Sequence, residues 1–350
     1  MTLLIAVDMG LGNAVLLSAF IHTLLMVYPN TRITLLGKKG SVAMALYEPD
    51  ERVRILYQLD ETVYDLCFLP FLGYHTRLLE QIIRGQKAKK IISHRLHSPT
   101  FYKRMLKNIY MLFNQLRGVT YVPVCLDHHE IDIYHQLLTP LGIGHTQWQS
   151  SPFIPEPVLQ KAQETLQKNP LAQDFWVAHC GASNQALTPK SWPTTYWQQW
   201  VQQMLQDTDV DVVFVGSSGE ADAIQALIDS LPESSQRRCI NLAGKLSILE
   251  LMGVLKKSRW CVGADSGVGH LSAALGVRTV SIWGPSPWTR CHPVGAQVRY
   301  VSSNKACSPC IGLFAQTDAQ AYKRCAYSHA CMMDLKPELV FQEIQKWLKE

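Results

Sequence analysis

The order of residues 3–37 constrains this chain more than any other feature. Leu3-Leu4-Ile5-Ala6-Val7 is a short apolar run of strand type, and the glycine loop Gly10-Leu11-Gly12-Asn13 follows it. Ala14 to Tyr28 is helix-like and is stopped by Pro29-Asn30, after which Arg32 to Gly37 reads as a second strand. Strand, loop, helix and strand in succession make a βαβ unit, and such units build parallel sheets. Val53 to Leu56, Leu66 to Leu69, Lys90 to Ser93 and Thr120 to Val122 are further strand candidates, so the first half reads as one doubly wound domain.

The stretch Leu138 to Pro157, with Pro140, Pro152, Pro155 and Pro157, is a linker candidate. The pattern then restarts. Asp174 to Cys180, Asp211 to Gly216, Arg259 to Gly263 and Thr279 to Trp283 read as strands, and Thr195 to Gln206, Glu220 to Leu231 and Gly267 to Leu275 as helices. The expected fold is α/β, with two Rossmann-like doubly wound domains facing a central cleft. Their limits are expected at 1–155 and 156–335, with a closing C-terminal helix in 336–350. Ligands of such sheets bind outside the carboxyl ends of the strands, so the loops after each strand are where function is sought.

Composition removes other classes. Of 350 residues, 47% are hydrophobic and 17% charged, an ordinary globular balance. A net charge of +5 is too mild to indicate a nucleic-acid partner, and no nucleic-acid module is visible. Met1 to Val7 has no basic leader region, and no apolar run reaches the roughly 18–20 residues of a membrane helix, so a cytoplasmic location is expected. Of the 10 cysteines, Cys67, Cys125, Cys180, Cys239, Cys261 and Cys291 are scattered and read as buried thiols.

The richest motif is Cys261-Val-Gly-Ala-Asp-Ser-Gly-Val-Gly-His270, between a strand and a helix. Asp265 or Ser266 is placed to cap that helix. Gly267 and Gly269 would leave amides uncovered at a helix N-terminus, where free N–H groups and the dipole suit a pyrophosphate, and His270 would sit in the first turn. A capped helix with glycines for tight packing fits the same spacing.

Asp265-Ser266-Gly267-Val268-Gly269-His270, with the small-residue helix after it and Thr279-Val280-Ser281-Ile282-Trp283-Gly284-Pro285, resembles the bacterial heptosyltransferases, glycosyltransferase family 9. Trp283 and Ser286 stand where the family usually has another aromatic and Thr. His179-Cys180-Gly181-Ala182-Ser183 and Lys190-Ser191-Trp192-Pro193 fit the same family. The resemblance implies the GT-B fold and an inverting glycosyltransferase. The donor would be a nucleotide-diphospho-heptose, ADP-heptose, and the acceptor a lipopolysaccharide inner-core sugar.

On that resemblance Ser183, Lys190, Asp265, Ser266, Gly267, Gly269 and His270 hold the donor's diphosphate and sugar, and Glu220 the ribose hydroxyls. A helix-start glutamate is the plainer reading of Glu220. Trp192 reads as core packing. No cofactor is implied at the reaction centre.

Where the family places a catalytic aspartate after the loop glycine, this chain has Gly12-Asn13. An amide cannot accept the acceptor hydroxyl's proton, although it can orient that hydroxyl. Three readings stay open: Asp8 acts as base, the reaction runs with little base help, or the protein binds a sugar nucleotide without turning it over.

Between Glu80 and Asp127 there is no acidic residue, while Arg84, Lys87, Lys89, Lys90, Arg95, Lys103, Arg104, Lys107 and Arg117 interleave with aromatics. This span suits an anionic glycolipid or a membrane surface, with Gly12, Lys103, Arg104 and Lys107 expected to meet the acceptor peripherally at the inner membrane. Cys307-Ser-Pro-Cys310, Cys325 and Cys331 offer thiols for structural zinc or iron, with free thiols and disulfides as alternatives. The resemblance includes relatives that bind iron and modify autotransporter proteins, so transfer to protein is a second expectation.

Overall fold

The computed structural model describes residues 1–70, 76–95, 101–125, 127–144, 152–168, 174–181, 190–303, 305–310 and 325–348. Its contacts divide the chain into Met1–Phe153 and Ile154–Glu350.

The first unit runs β1 (Thr2–Val7), α1 (Leu11–Val27), β2 (Arg32–Gly37), α2 (Val42–Ala45), β3 (Val53–Leu56) and β4 (Tyr64–Leu69). It continues through α3 (Thr76–Arg84), β5 (Ala88–Arg95), α4 (Phe101–Gln115), β6 (Val119–Pro123) and α5 (Glu130–Gln136). All pairings are parallel, in the order β3-β2-β1-β4-β5-β6. Central β1 is apolar without alternation because both of its faces are covered, and Leu3 to Val7 are fully buried. α1 is likewise apolar around nearly its whole girth. Its buried hydroxyls are satisfied within the helix, Ser18 donating to the Val15 carbonyl and Thr23 to that of Ala19.

α1 starts at Leu11, three residues before the expected Ala14. Gly10, in extended conformation, is its N-cap, so Gly12 and Asn13 belong to the first helical turn rather than to a loop.

The second unit runs α6 (Glu156–Gln167), β7 (Phe175–His179), α7 (Thr194–Asp207), β8 (Asp211–Phe214), α8 (Ala221–Asp229), α9 (Glu233–Gln236), β9 (Cys239–Asn241) and α10 (Ile248–Lys257). Then come β10 (Trp260–Ala264), α11 (Gly267–Ala274), β11 (Arg278–Trp283), α12 (Trp288–Cys291), β12 (Val298–Ser302), α13 (Ala330–Met333) and α14 (Pro337–Leu348). Its sheet is also wholly parallel, in the order β12-β11-β10-β7-β8-β9. Renumbered within each unit, both sheets read 3-2-1-4-5-6. Each therefore reverses strand order at one point, between β1 and β4 and between β7 and β10.

Tryptophans fill the second core. Trp176 stacks on Trp260 at 5.2 Å, Trp260 meets Trp347 of α14 edge-on at 4.8 Å, and Trp197 meets Trp192 at 4.9 Å. Trp192 is buried and donates its indole N–H to the Leu335 carbonyl at 2.6 Å, as its core reading requires. α14, expected as a separate closing element, packs on α7, β11 and β12 and so belongs to the second unit. The scattered cysteines divide: Cys67, Cys180 and Cys261 are buried, whereas Cys239 and Cys291 are half-buried and Cys125 is exposed.

Candidate functional site

The carboxyl edge of the second sheet gathers the motif residues at its switch point. β7 ends at His179 and β10 at Ala264, and the two strands lie side by side. A Cβ on Gly263 would come within 3.3 Å of the His179 backbone oxygen, so glycine allows this close approach. Lys190, just before α7, reaches back to Asp265, with Nζ 2.6 Å from Oδ2. The pair is largely buried, the side chains being 26% and 10% exposed.

The helix start differs from expectation. Ser266 is the N-cap of α11, yet neither its side chain nor that of Asp265 makes a capping bond. Asp265 is engaged by Lys190 instead. Ser266 Oγ is buried and has no partner among the described residues, and the same holds for His270 Nδ1. Burial, aided by the Lys190 and His292 charges and opposed by Asp265, pushes the His270 imidazole down to about 4. His270 is therefore neutral near pH 7. Gly269 does not uncover the helix start, because a Cβ there would make ordinary contact with Pro293 at 3.8 Å and Ser281 at 3.9 Å. Gly267 occupies the first helical position.

Glu220 combines both of its readings. Its Oε2 accepts from the Ser217 backbone N–H at 2.6 Å and from the Ser217 hydroxyl at 2.7 Å, forming a capping box. Its Oε1 lies 3.9 Å from His179 Nε2. A ligand thus finds one carboxylate oxygen already committed. Burial lowers the His179 pKa against the raising effect of Glu220, and His179 Nδ1 is buried without a partner among the described residues. In the sequence His179 only belongs to a motif, and its burial beside Glu220 is visible only in the fold. Ser183 lies outside the described residues.

The carboxyl edge of the first sheet is open. A pocket of 660 Å³ is lined by residues including Val7, Asp8, Lys38, Tyr57, Arg77 and Gln81, contributed by the ends of β1, β2 and β3 and by α3. Asp8 Oδ2 is ion-paired with Lys38 Nζ at 2.9 Å. Asn13 Nδ2 donates to Glu130 Oε1 at 3.1 Å. Lys38, Tyr57, Arg77 and Glu130 were not anticipated. Glu130 stands 117 positions from Asn13, and nothing local in the sequence joins them.

The basic span is less free of counter-charge than its sequence suggests. Lys87 pairs with Glu61 at 2.8 Å, Lys89 with Asp65 at 2.7 Å and Arg84 with Glu80 at 3.5 Å. Lys103, Arg104 and Lys107 lie on α4, but their side chains are outside the described residues.

The C-terminal cysteines approach one another. Cys331 is pushed up to about 11, first by burial and then by Cys310, Cys307 and Cys325, and Cys310 is raised by burial, then by Cys325 and Cys307. Thiols are the right donors for zinc or iron. Among the described residues, however, no three His, Cys, Asp or Glu side chains are grouped to hold an ion, so the arrangement described is not a ligand sphere. Residues 311–324, between the cysteine pairs, lie outside it. Among the described residues no helix is long and apolar enough to cross a membrane.

The family model described as glycosyltransferase family 9 (heptosyltransferase) matches residues 93–320. Among curated proteins the chain is 25% identical over 361 residues to lipooligosaccharide heptosyltransferase 2 of Campylobacter jejuni, covering 100% of this chain and 99% of that protein. Among solved structures it resembles a family 9 glycosyl transferase of Veillonella parvula, with TM-score 0.75 and 17% identity over 99% of this chain and 96% of that one. It also resembles the Escherichia coli ADP-heptose lipopolysaccharide heptosyltransferase II, with TM-score 0.67 and 17% identity over 99% and 98% of the two chains.

Proposed function

This chain belongs to glycosyltransferase family 9, the heptosyltransferases, and we propose that it transfers a heptose from ADP-heptose, with inversion, to an inner-core sugar of lipopolysaccharide. The observation that carries the donor half is the switch point of the second sheet. There the Lys190–Asp265 pair lies beside two buried polar atoms without described partners, Ser266 Oγ and His270 Nδ1. A diphospho-sugar supplies the oxygens such atoms lack. Lys190 and the free N–H groups of Gly267, Val268 and Gly269 neutralise the leaving diphosphate, with Ser183 beside them on the resemblance, while the His270 N–H is already given to the Ser266 carbonyl. Neutral His270 donates or accepts a hydrogen bond, and Glu220 Oε1 takes a ribose hydroxyl.

The acceptor half is proposed for the open edge of the first sheet. Asp8 lines the pocket there and is the carboxylate we assign as base, drawing the proton from the attacking hydroxyl. Asn13 orients that hydroxyl, with Gly12 beside it, and Lys103, Arg104 and Lys107 meet the acceptor's anionic groups. The reaction would take place on the cytoplasmic face of the inner membrane.

The test is product formation with ADP-heptose and heptose-free core acceptor, with the anomeric configuration of the product read by NMR. Transfer with retention, or no transfer by a protein that binds ADP-heptose, sinks this reading. Asn13, an amide without proton-accepting capacity, favours a sugar-nucleotide-binding protein in the second case. Transfer to a polypeptide acceptor would be a third outcome. A structural zinc or iron at Cys307, Cys310, Cys325 and Cys331 is also proposed, and elemental analysis of the purified protein tests it.

A further inference from the structure

α4 turns an apolar stripe to solvent. Ile109, Leu112 and Phe113 are 59%, 61% and 57% exposed, and Leu116, just past the helix, is 82% exposed. Their spacing of i, i+3, i+4 and i+7 puts them on one face. Met111 and Asn114, on the other face, are buried, and α4 packs on β6. Large side chains exposed in a contiguous row mark a contact surface.

The charge around the stripe identifies the partner. Residues 81–126 contain no Asp or Glu, and Lys103, Arg104 and Lys107 precede the stripe on the same helix. Arg117 closes it, its guanidinium 5.1 Å from the Phe113 ring centre. We propose that α4 is an interfacial helix that lays Ile109, Leu112, Phe113 and Leu116 into an anionic lipid bilayer while its basic residues meet the headgroups. A second copy of so basic a helix would be repelled, and a largely aliphatic row does not suit a phosphodiester backbone. The proposal draws its purpose from the reading that the acceptor is a glycolipid, but its test needs no turnover.

Flotation of the full chain with vesicles reads it directly. Wild type should bind vesicles of phosphatidylcholine with phosphatidylglycerol, bind phosphatidylcholine alone weakly, and release in high salt. The variant Ile109→Ser/Leu112→Ser/Phe113→Ser/Leu116→Ser should partition at least about tenfold less while keeping its melting temperature, because the replaced side chains are exposed. A wild type that ignores anionic vesicles overturns the proposal. So does a serine variant that binds as wild type does, or self-association in size-exclusion chromatography that the serines abolish.

A second, independent observation concerns Glu130. Its carboxylate is buried at the first position of α5, and its Oε1 accepts from Asn13 Nδ2 at 3.1 Å and from the Tyr134 hydroxyl at 3.4 Å. Because a carboxylate only accepts, this bond fixes which end of the Asn13 amide faces Glu130 and leaves Oδ1 turned away. We infer that Glu130 is a positioning residue that aims Asn13 Oδ1 at the acceptor hydroxyl, an inference that rests on the proposed transfer.

Exchange of the two groups tests it. Glu130→Gln alone should lower kcat about tenfold and leave donor affinity unchanged, since its amide no longer dictates the orientation of Asn13. Asn13→Asp alone sets two carboxylates side by side to share a proton, adding a limb to the pH–rate profile. The titratable groups around them are Tyr134, whose hydroxyl donates to Glu130, Tyr47 after α2, whose hydroxyl donates to the Ala14 carbonyl, and, along α5, the N-cap His129 with Asp132 and His135. Asn13→Asp/Glu130→Gln restores one donor and one acceptor and should recover kcat above either single variant. If Glu130→Gln turns over as wild type does, or the exchange recovers nothing in a protein of unchanged melting temperature, the inference fails. No transfer by the wild type overturns this role and the proposed function together.

Discussion

The two sheets share one strand order, yet their carboxyl edges treat polar groups in opposite ways. On the first, two polar side chains already have protein partners: Asp8 has Lys38 and Asn13 has Glu130. On the second, Lys190 and Asp265 are paired, but Ser266 Oγ, His270 Nδ1 and His179 Nδ1 are buried without described partners. Each such buried group costs about 1–3 kcal/mol. The second edge thus carries an unmet demand that a ligand would relieve, whereas the first is an open pocket where a ligand would compete with water. Topology places both edges, and the local satisfaction of hydrogen bonds distinguishes their tasks.

The largest expected effect separates the edges by kinetics. Asp8→Asn should lower kcat by roughly 10²–10⁴, the usual worth of a general base, with donor affinity unchanged. Lys38, 76% exposed, loses its partner at little cost in stability. Unchanged transfer by this variant would return the first edge to a purely binding role. Lys190→Ala acts on the other side. It removes the proposed diphosphate contact and strands a largely buried Asp265, so ADP affinity by calorimetry should fall about 100-fold, which is about 2.7 kcal/mol. Equal losses in donor and acceptor binding would erase the division between the edges.

A smaller effect tests whether the orphaned atoms await a ligand. Ser266→Ala deletes a hydroxyl that has no described partner, so the ligand-free melting temperature should hold or rise. ADP-heptose affinity should fall about tenfold, near 1.4 kcal/mol, if the hydroxyl meets the donor. A lower melting temperature with unchanged affinity would assign the hydroxyl to the protein instead.

The sequence made the βαβ order and the β10–α11 motif readable, because parallel strands covered on both faces are continuous apolar runs. The sheet edges were less readable. β9 and β12 were not anticipated, since their residues are mostly half-buried and carry no apolar run. Contacts between distant residues were least readable. The bond from Asn13 to Glu130 and the pocket joining Asp8 to Tyr57 and Arg77 depend on parallel crossovers that bring separate strand ends together. The basic span misled for the same reason: Asp65 on β4 and Glu61 just before it, which pair with Lys89 and Lys87, lie outside the span but are brought beside it by the β4–β5 pairing.

The smallest effect concerns acid. Burial pushes His94 in the first unit and His270 in the second down to about 4 and also lowers His179, so all three are neutral in the native protein near pH 7. The unfolded chain protonates the same imidazoles near about 6.5, so between about pH 6.5 and 4 it binds more protons than the native state. Stability is therefore fully present above about 6.5 and declines as pH falls toward 4. His94 Nε2 keeps a contact with the Ile133 carbonyl at 2.7 Å, whereas His179 and His270 at the carboxyl edge of the second sheet hold nitrogens without described partners. Amide exchange at about pH 7 and about pH 5 should then show β7 and β10 losing more protection than β1. ADP should restore part of that loss by binding the native state alone. Equal losses in both units, or none, would mean that His179 and His270 do not set the acid response of the second sheet's carboxyl edge.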